Sequence, residues 1–263
     1  MTRLLDRFDH FLIDLDGVVY LGDQLTPCAA ETFQALREAG KRRCFITNDP
    51  RHTANEYAKK LIRLGIPAEP SEFLTSGRAA ALYLQKENAD APVFVVGSNG
   101  LRSEVEAVGR RVLRGADGTA GAVVVGGHED FSYAELKIAS LAIRRGAAFI
   151  ATNRDATFPM PDGLWPGTGS IIAAIEVATG VAPIVVGKPE KPIFEIALDL
   201  FPPGGRTAII GDRLDADILG GKRAGLATIL VLSGCTTAAQ AARSEIRPDY
   251  IIERFSRLTT PLS

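Results

Sequence analysis

Cysteine is scarce in this chain, and its three cysteines, Cys28, Cys44 and Cys235, lie far apart in the sequence. An odd number of widely spaced cysteines supports neither a disulfide framework nor a zinc cluster. Charge of one sign is also lacking, because 30 basic and 31 acidic side chains leave a formal net charge of −1. We therefore expect no nucleic-acid partner and no surface for anionic membranes.

Long apolar runs are absent as well. No stretch of the chain approaches the ~20 residues that span a membrane, and the sequence begins without a cationic and apolar leader. These absences predict a cytoplasmic protein that has no membrane partner. Hydrophobic residues still make up 46% of the 263 residues, which is enough for one large domain or two smaller ones.

Strand-like and helix-like segments alternate along the whole chain. Apolar runs such as 11–15, 43–47 and 207–211 are separated by stretches with a helical pattern. This alternation predicts parallel βαβ units, and therefore an α/β fold with helices on both faces of a parallel sheet.

Two short segments that contain proline, 88–92 and 180–183, are candidate crossing points between domains. The roughly ninety residues between them have strand and helix patterns of their own, enough for a separate core. We predict a catalytic core formed by residues 1–88 and 183–263, with an inserted α/β domain at 89–182.

Two aspartates, Asp14 and Asp16, end the first apolar run, and Gly17 follows them. On a strand, residues i and i+2 point to the same face, so these two carboxylates can share one site. Placing two like charges together is costly unless a cation compensates them. Because open α/β sheets bind ligands at the carboxyl ends of their strands, the pair predicts a catalytic site with a divalent metal.

Three further apolar runs also end in polar groups, which are Thr47-Asn48, Lys188, and Asp212 with Asp217. These residue types together suit phosphoryl transfer. One carboxylate can attack phosphorus and another can exchange protons with the leaving group and with water. Aspartate oxygens suit magnesium, a lysine neutralises anionic charge, and a hydroxyl donates to phosphate oxygens.

The four segments resemble, in order, the motifs of the haloacid dehalogenase superfamily. They read Asp14-Leu15-Asp16-Gly17-Val18-Val19-Tyr20, Thr47-Asn48, Gly187-Lys188-Pro189 and Gly211-Asp212-Arg213-Leu214-Asp215-Ala216-Asp217. More narrowly, the chain is similar to the NagD-like branch of p-nitrophenyl phosphatases, with which segments 150–159 and 163–169 also agree. The resemblance implies a Rossmann-like core and an α/β cap inserted between the second and third motifs.

The resemblance also implies roles for the individual acidic residues. Asp14 is the implied nucleophile, and Asp16 is the implied general acid and base. Magnesium would be held by the Asp14 carboxylate, the Asp16 backbone carbonyl and Asp212. Asp217 would orient the waters bound to the metal.

For the phosphate group, the resemblance implies binding by Thr47 and the Asn48 backbone, with Lys188 neutralising charge. The sequence departs from the branch directly after Asn48, where Asp49-Pro50 replaces a second asparagine and a Ser or Thr. Proline removes one N–H donor, and Asp49 adds a negative charge next to the expected phosphate-binding residues.

These patterns predict a magnesium-dependent phosphatase that hydrolyses small-molecule phosphomonoesters through an aspartyl-phosphate on Asp14. Its expected partner is a small phosphorylated metabolite, and the resemblance allows a homodimer. A phosphotransferase or mutase with the same intermediate, and a non-catalytic metabolite-binding protein, are the alternatives. The physiological substrate, the effect of Asp49-Pro50 and any contact between substrate and the loop at 153–158 stay open.

Overall fold

The computed structural model describes residues 2–87, 90–115, 119–160 and 162–261. Its contacts divide the chain into two compact units. The first comprises Met1–Thr47, Ala54–Leu74 and Lys188–Ser263, and the second comprises Asn48–Thr53 and Thr75–Gly187. The predicted domain boundary between 88 and 89 falls outside the described residues, so the predicted domain limits stay a prediction.

Strands and helices alternate along most of the chain, as the sequence pattern predicts, but segments 10–25 and 148–166 each hold three strands with no helix between them among the described residues. The strands are β1 (His10–Ile13), β2 (Tyr20–Leu21), β3 (Gln24–Leu25), β4 (Arg42–Thr47), β5 (Phe73–Thr75), β6 (Val93–Val96), β7 (Val112–Leu113), β8 (Ala122–Val125), β9 (Ala148–Ala151), β10 (Thr157–Met160), β11 (Gly163–Pro166), β12 (Ile184–Val185), β13 (Thr207–Gly211), β14 (Ala227–Val231) and β15 (Tyr250–Ile252). The α-helices are α1 (Ala29–Glu38), α2 (Ala54–Arg63), α3 (Ser76–Lys86), α4 (Asn99–Ala107), α5 (Tyr133–Arg144), α6 (Thr168–Thr179), α7 (Lys191–Asp199), α8 (Leu219–Arg223) and α9 (Ala238–Arg243). Shorter helical segments are the 3₁₀ turns Leu4–Arg7, Pro70–Glu72 and Phe255–Thr259 and the π-helix Leu214–Ile218.

The main sheet of the first unit has, within the described residues, the strand order β15-β14-β13-β1-β4-β5. All four residues of β1 are buried, which explains why Phe11, Leu12 and Ile13 form an apolar run without alternation. Its neighbours β13 and β4 pair with it in parallel. The predicted α/β fold with a parallel sheet is confirmed.

The strand order of this sheet changes direction at β1. Ile13 pairs with Ile210 of β13 on one side and with Phe45 of β4 on the other, so the three strands end at the same edge. In open α/β sheets, ligands bind outside the carboxyl ends of the strands at such a switch point. This edge is therefore the place in the first unit where functional side chains are expected.

The second unit has its own parallel sheet, with the order β12-β9-β8-β6-β7 among the described residues, and a separate β10-β11 hairpin. Its buried side chains, which include Phe94, Val123, Phe149 and Ile172, form a separate hydrophobic core. The apolar run that precedes Lys188 forms the short strand β12, which belongs to this sheet. Ile184 and Val185 pair with Ile150 and Ala151 of β9, and the Val186 and Gly187 N–H groups then donate to the Ala151 and Thr152 carbonyls, both at 2.9 Å.

Helix starts in the second unit follow ordinary capping chemistry. The Thr75 hydroxyl accepts a hydrogen bond from the Arg78 N–H at 3.0 Å and so caps α3. Ser132 and Glu135 form a reciprocal capping box at the start of α5. Across the described ranges of the chain, every helix is too short or too polar to cross a membrane.

Candidate active site

Three candidate residues lie at the carboxyl edge of the main sheet in the first unit. Asp14 follows β1 directly, and its N–H donates to the Ile210 carbonyl at 2.9 Å. Thr47 is the last residue of β4, and Asp212 is the first residue after β13. All three side chains are buried, so neighbouring parallel strands bring a hydroxyl and two carboxylates to one protected edge.

Lys188 joins two of the carboxylates at this edge. Its Nζ donates to Asp14 Oδ1 at 2.8 Å, to Asp217 Oδ1 at 2.7 Å and to the Ile46 carbonyl at 3.3 Å. An ammonium has three N–H donors, so these three acceptors match its donors one to one. Only 4% of the lysine is exposed, so this residue is an internal cation and not a solvated surface lysine.

The charges at this edge are strongly coupled. Burial raises the pKa of Asp14 above its ordinary value, although the positive charge of Lys188 opposes this rise. The negative charges of Asp217 and Asp212 add to the rise. Burial alone would lower the pKa of Lys188, but Asp14 and Asp217 raise it, so the lysine stays protonated. Burial and the charge of Asp217 likewise raise the pKa of Asp212. Three carboxylates thus share one ammonium, and a further cation would balance them.

The donor set fits a divalent cation that prefers oxygen. One carboxylate oxygen from each of Asp14, Asp212 and Asp217 lies within 4.8 Å of the others. In the described part of the chain, this cluster contains carboxylates alone, without histidine or cysteine. Carboxylate oxygens suit magnesium and calcium better than they suit thiophilic metals.

Asp16 lies outside this carboxylate cluster. The predicted strand over 11–15 is too long, because β1 ends at Ile13 and both Asp14 and Asp16 follow it. The Leu15 carbonyl already accepts from the Val19 N–H at 2.8 Å, as part of a turn. The argument that Asp14 and Asp16 share one face of a strand is therefore wrong, and Asp16 is exposed.

A loop at residues 233–236, shortly after β14, holds Asp212 although no sequence motif marks it. The Cys235 N–H donates to Asp212 Oδ2 at 2.6 Å, and the Ser233 hydroxyl donates to the Gly17 carbonyl at 2.7 Å. One signal was available, since small and polar residues follow an apolar strand here as they do at the other candidate positions. This loop positions one carboxylate of the cluster.

Gly234 of this loop lies directly against Asp212. A Cβ at this position would come within 2.6 Å of both Cβ and Cγ of Asp212. Since the family resemblance implies that Asp212 binds magnesium, we expect Gly234→Ala to displace the carboxylate and weaken magnesium binding by roughly 10–100-fold, the usual effect of disturbing a partner of a metal ligand. Isothermal titration calorimetry with magnesium measures this change, and thermal unfolding checks the fold. An unaltered affinity in a folded variant would contradict the assignment of Asp212 to the metal.

Asn48 and the unusual Asp49 belong to the second unit. The Arg51 guanidinium donates through Nε and Nη2 to the two carboxylate oxygens of Asp49, at 2.9 and 3.1 Å. Burial would raise the pKa of Asp49, but the hydrogen bonds and charge of Arg51 lower it below its ordinary value. The extra negative charge expected from the sequence is therefore compensated within the same segment.

Two family models match the chain. Residues 11–111 match the model described as haloacid dehalogenase-like hydrolase, and residues 185–258 match a second model described as HAD-hydrolase-like. The matched ranges include the candidate residues Asp14, Thr47, Lys188 and Asp212.

Similar proteins cover nearly the whole chain. An acid sugar phosphatase of Staphylococcus haemolyticus is 37% identical over 94% of this chain and 93% of its own length. Among solved structures, a 4-nitrophenylphosphatase of Thermotoga maritima has a TM-score of 0.90 at 34% identity, with 98% of both chains covered. The glycerol phosphate phosphatase of Mycobacterium tuberculosis in complex with magnesium has a TM-score of 0.90 at 38% identity, covering 98% of this chain and 78% of that one. The same protein has also been solved in complex with calcium.

Proposed function

Because this chain is a phosphatase of the haloacid dehalogenase-like hydrolase family, in the branch of the p-nitrophenyl phosphatases, we propose that it hydrolyses small-molecule phosphomonoesters with Mg²⁺. The buried contact between Lys188 and Asp14 is the observation that carries this proposal. A carboxylate oriented by an ammonium, beside other oxygen donors, is suited to attack a phosphoryl group.

Asp14 is the proposed nucleophile. Its attack forms a bond between a carboxylate oxygen and phosphorus and breaks the bond from phosphorus to the leaving oxygen. Water then attacks the aspartyl-phosphate, which releases inorganic phosphate and regenerates the carboxylate, so one difficult hydrolysis becomes two easier steps. Lys188 holds the Asp14 carboxylate in place and compensates negative charge at the site.

Asp16 is the proposed general acid and base. As the acid it protonates the leaving oxygen, and as the base it removes a proton from the attacking water. Its exposed position after β1 supports this role, since a group that exchanges protons must be accessible.

The proposed magnesium ligands are the carboxylates of Asp14 and Asp212 and the backbone carbonyl of Asp16. When bound, the ion screens the repulsion between the carboxylate nucleophile and an anionic phosphate. Asp217 accepts from Lys188 and from the Arg213 N–H, the latter at 3.0 Å. Held in this way, its carboxylate would orient the waters of a bound metal. The carboxylate cluster and the relative solved with magnesium support this choice of ion.

Three residues are proposed to bind the phosphate group. The Thr47 hydroxyl and the Asn48 backbone N–H donate to its oxygens, and Lys188 supplies positive charge. The position of Thr47 at the end of β4 and the burial of Lys188 support these roles within the first unit.

The substrate class is proposed from the relatives. Their printed names include acid sugar phosphatase, phosphoglycolate phosphatase and D-glycerol 3-phosphate phosphatase. We infer a small phosphorylated metabolite of this kind, with a phosphate ester on a short polar skeleton.

Phosphate release from a panel of phosphomonoesters tests the proposal. The panel holds p-nitrophenyl phosphate, sugar phosphates, glycerol 3-phosphate, phosphoglycolate, pyridoxal phosphate and nucleoside monophosphates, each with magnesium and with EDTA. We expect release with magnesium and its loss with EDTA, because ligand carboxylates alone leave the site short of positive charge. Release that needs a second alcohol acceptor would favour a phosphotransferase. Binding of the esters without any release would favour a non-catalytic protein.

A further inference from the structure

Asn48 is held on several sides by polar groups of the second unit. Its backbone carbonyl accepts from Asn153 Nδ2 at 2.7 Å and from the Ser76 hydroxyl at 2.6 Å. Its side-chain Nδ2 donates to Asp155 Oδ2 at 3.0 Å. Both the main chain and the side chain of Asn48 are thus fixed by residues from α3 and from the loop after β9.

The loop residues that make these contacts are themselves constrained. Asn153 is only 3% exposed, and its Oδ1 accepts from the Asp155 N–H at 2.9 Å. Its amide therefore has one defined orientation, with the oxygen on the loop and the nitrogen on Asn48. In a partly buried network of this kind, neighbouring hydrogen bonds polarise and reinforce one another.

Gly187 provides the space for this network. A Cβ at this position would lie 2.8 Å from Asn48 Oδ1 and 3.3 Å from Asn153 Cβ. The glycine that precedes Lys188 in the third motif therefore has a packing role in the second unit. The close approach at Gly187 is independent of the hydrogen bonds and points to the same tightly held Asn48.

We propose that Asn153 and Asp155 are positioning residues that fix Asn48 for phosphate binding, a role that rests on the proposed function. The two hydrogen bonds to the Asn48 carbonyl fix the planar peptide that joins Asn48 to Asp49. Together with the hydrogen bond from its side chain, they hold Asn48 in one conformation and so direct its backbone N–H. A backbone N–H donor that is fixed before the substrate arrives binds phosphate without an ordering cost. The polar residues at the start of the 153–158 loop thus act on the phosphate-binding segment.

Asn153→Asp is the sharpest variant for this proposal. Aspartate keeps the shape and the oxygen that accepts from the Asp155 N–H, but it cannot donate to the Asn48 carbonyl. We expect KM for p-nitrophenyl phosphate and the inhibition constant of inorganic phosphate both to rise by about 10-fold or more, as for a lost hydrogen bond at a buried group. Because binding is affected more than chemistry, kcat should fall less than KM rises.

Asp155 supplies a second pair of variants in case Asn153→Asp does not fold. Asp155→Asn keeps an oxygen that accepts from Asn48 Nδ2, whereas Asp155→Ala removes it. We expect the asparagine variant to bind inorganic phosphate within about threefold of the wild type and the alanine variant to bind it about 10-fold more weakly.

Arg154 provides the matched control, since it lies between the two positioning residues in the chain. Its guanidinium pairs with Glu176 at 2.6 Å, and 49% of its side chain is exposed. Arg154→Ala should leave KM for p-nitrophenyl phosphate and the inhibition constant of inorganic phosphate unchanged. The positioning role would be overturned if Arg154→Ala and Asn153→Asp weakened inhibition by inorganic phosphate equally. Unchanged phosphate inhibition in folded Asn153→Asp would also overturn it.

Equilibrium binding separates this inference from the proposed function. Inorganic phosphate is titrated into wild type and Asn153→Asp in the presence of magnesium. If the wild type hydrolyses no ester, the phosphatase proposal for these substrates fails, yet weaker phosphate binding by Asn153→Asp still supports the positioning role. Equal binding by both proteins, or no binding by the wild type, would overturn it.

Discussion

Asp14→Asn is expected to lower kcat/KM for p-nitrophenyl phosphate by at least about 10⁴-fold, the scale of loss found when a nucleophile is removed. Asparagine has nearly the same shape as aspartate but cannot attack phosphorus to form an aspartyl-phosphate. Initial rates of phosphate release in saturating magnesium measure the effect. Thermal unfolding of both proteins shows whether the buried edge of the sheet stays folded without this charge.

Asp215→Asn is the matched control for the nucleophile. Its side chain is 71% exposed and pairs with Arg213 at 3.1 Å, and it lies outside the carboxylate cluster of the described residues. We expect the rate of this control to stay close to that of the wild type. If Asp14→Asn retained wild-type turnover, Asp14 would not be the nucleophile, and a direct attack by water would have to be considered.

Lys188→Met is expected to reduce the free energy of unfolding by about 3–5 kcal/mol, because it leaves buried carboxylates without their cation. The carboxylates of Asp14 and Asp217 both accept hydrogen bonds from this ammonium, and Asp217 is completely buried. Urea denaturation of wild type and variant in EDTA measures the difference. Catalysis should be lost in the same variant, since the ammonium that holds the Asp14 carboxylate is gone.

Lys222→Met and a double variant complete this experiment. Lys222 pairs with Asp249 at 3.2 Å on the surface. Its replacement should lower the free energy of unfolding by no more than about 1 kcal/mol. In Asp14→Asn with Lys188→Met, one of the uncompensated carboxylates is gone, so the double variant should be more stable than Lys188→Met alone. If the losses in free energy of unfolding of the two single variants simply added up in the double variant, the buried charges of Asp14 and Lys188 would not interact.

Local patterns were sufficient to predict the main features of the sheet. β1, β4 and β13 are apolar runs that end in polar residues, and the rule that parallel strands end at a common edge then places Asp14, Thr47 and Asp212 together. The resemblance to a family added roles that spacing alone does not define. The prediction that Lys188 belongs to the site required both the strand pattern and the family resemblance, because a lone lysine is ordinarily on the surface.

The features that the sequence did not predict are contacts between distant parts of the chain and the exact ends of strands. The end of β1 depends on the turn at Leu15, so its exact length did not follow from hydrophobicity. Cys235 contacts Asp212 across 23 residues, and Asn153 contacts Asn48 across 105. Hydrogen bonds between such distant positions leave no periodic signal, so neither contact could be found from one sequence.

The pairing of β1 with β13 has a consequence for synthesis on the ribosome. When residues up to 187 have emerged, all segments of the second unit are present, but β1 has only β4 as a neighbour. The other side of β1 is then an exposed strand edge, which is the kind of surface that aggregates. Lys188 also meets Asp14 across 174 residues. A nascent chain therefore carries an open edge of apolar residues until residues 207–211 leave the exit tunnel, and chains released before that point are the ones expected to need a chaperone.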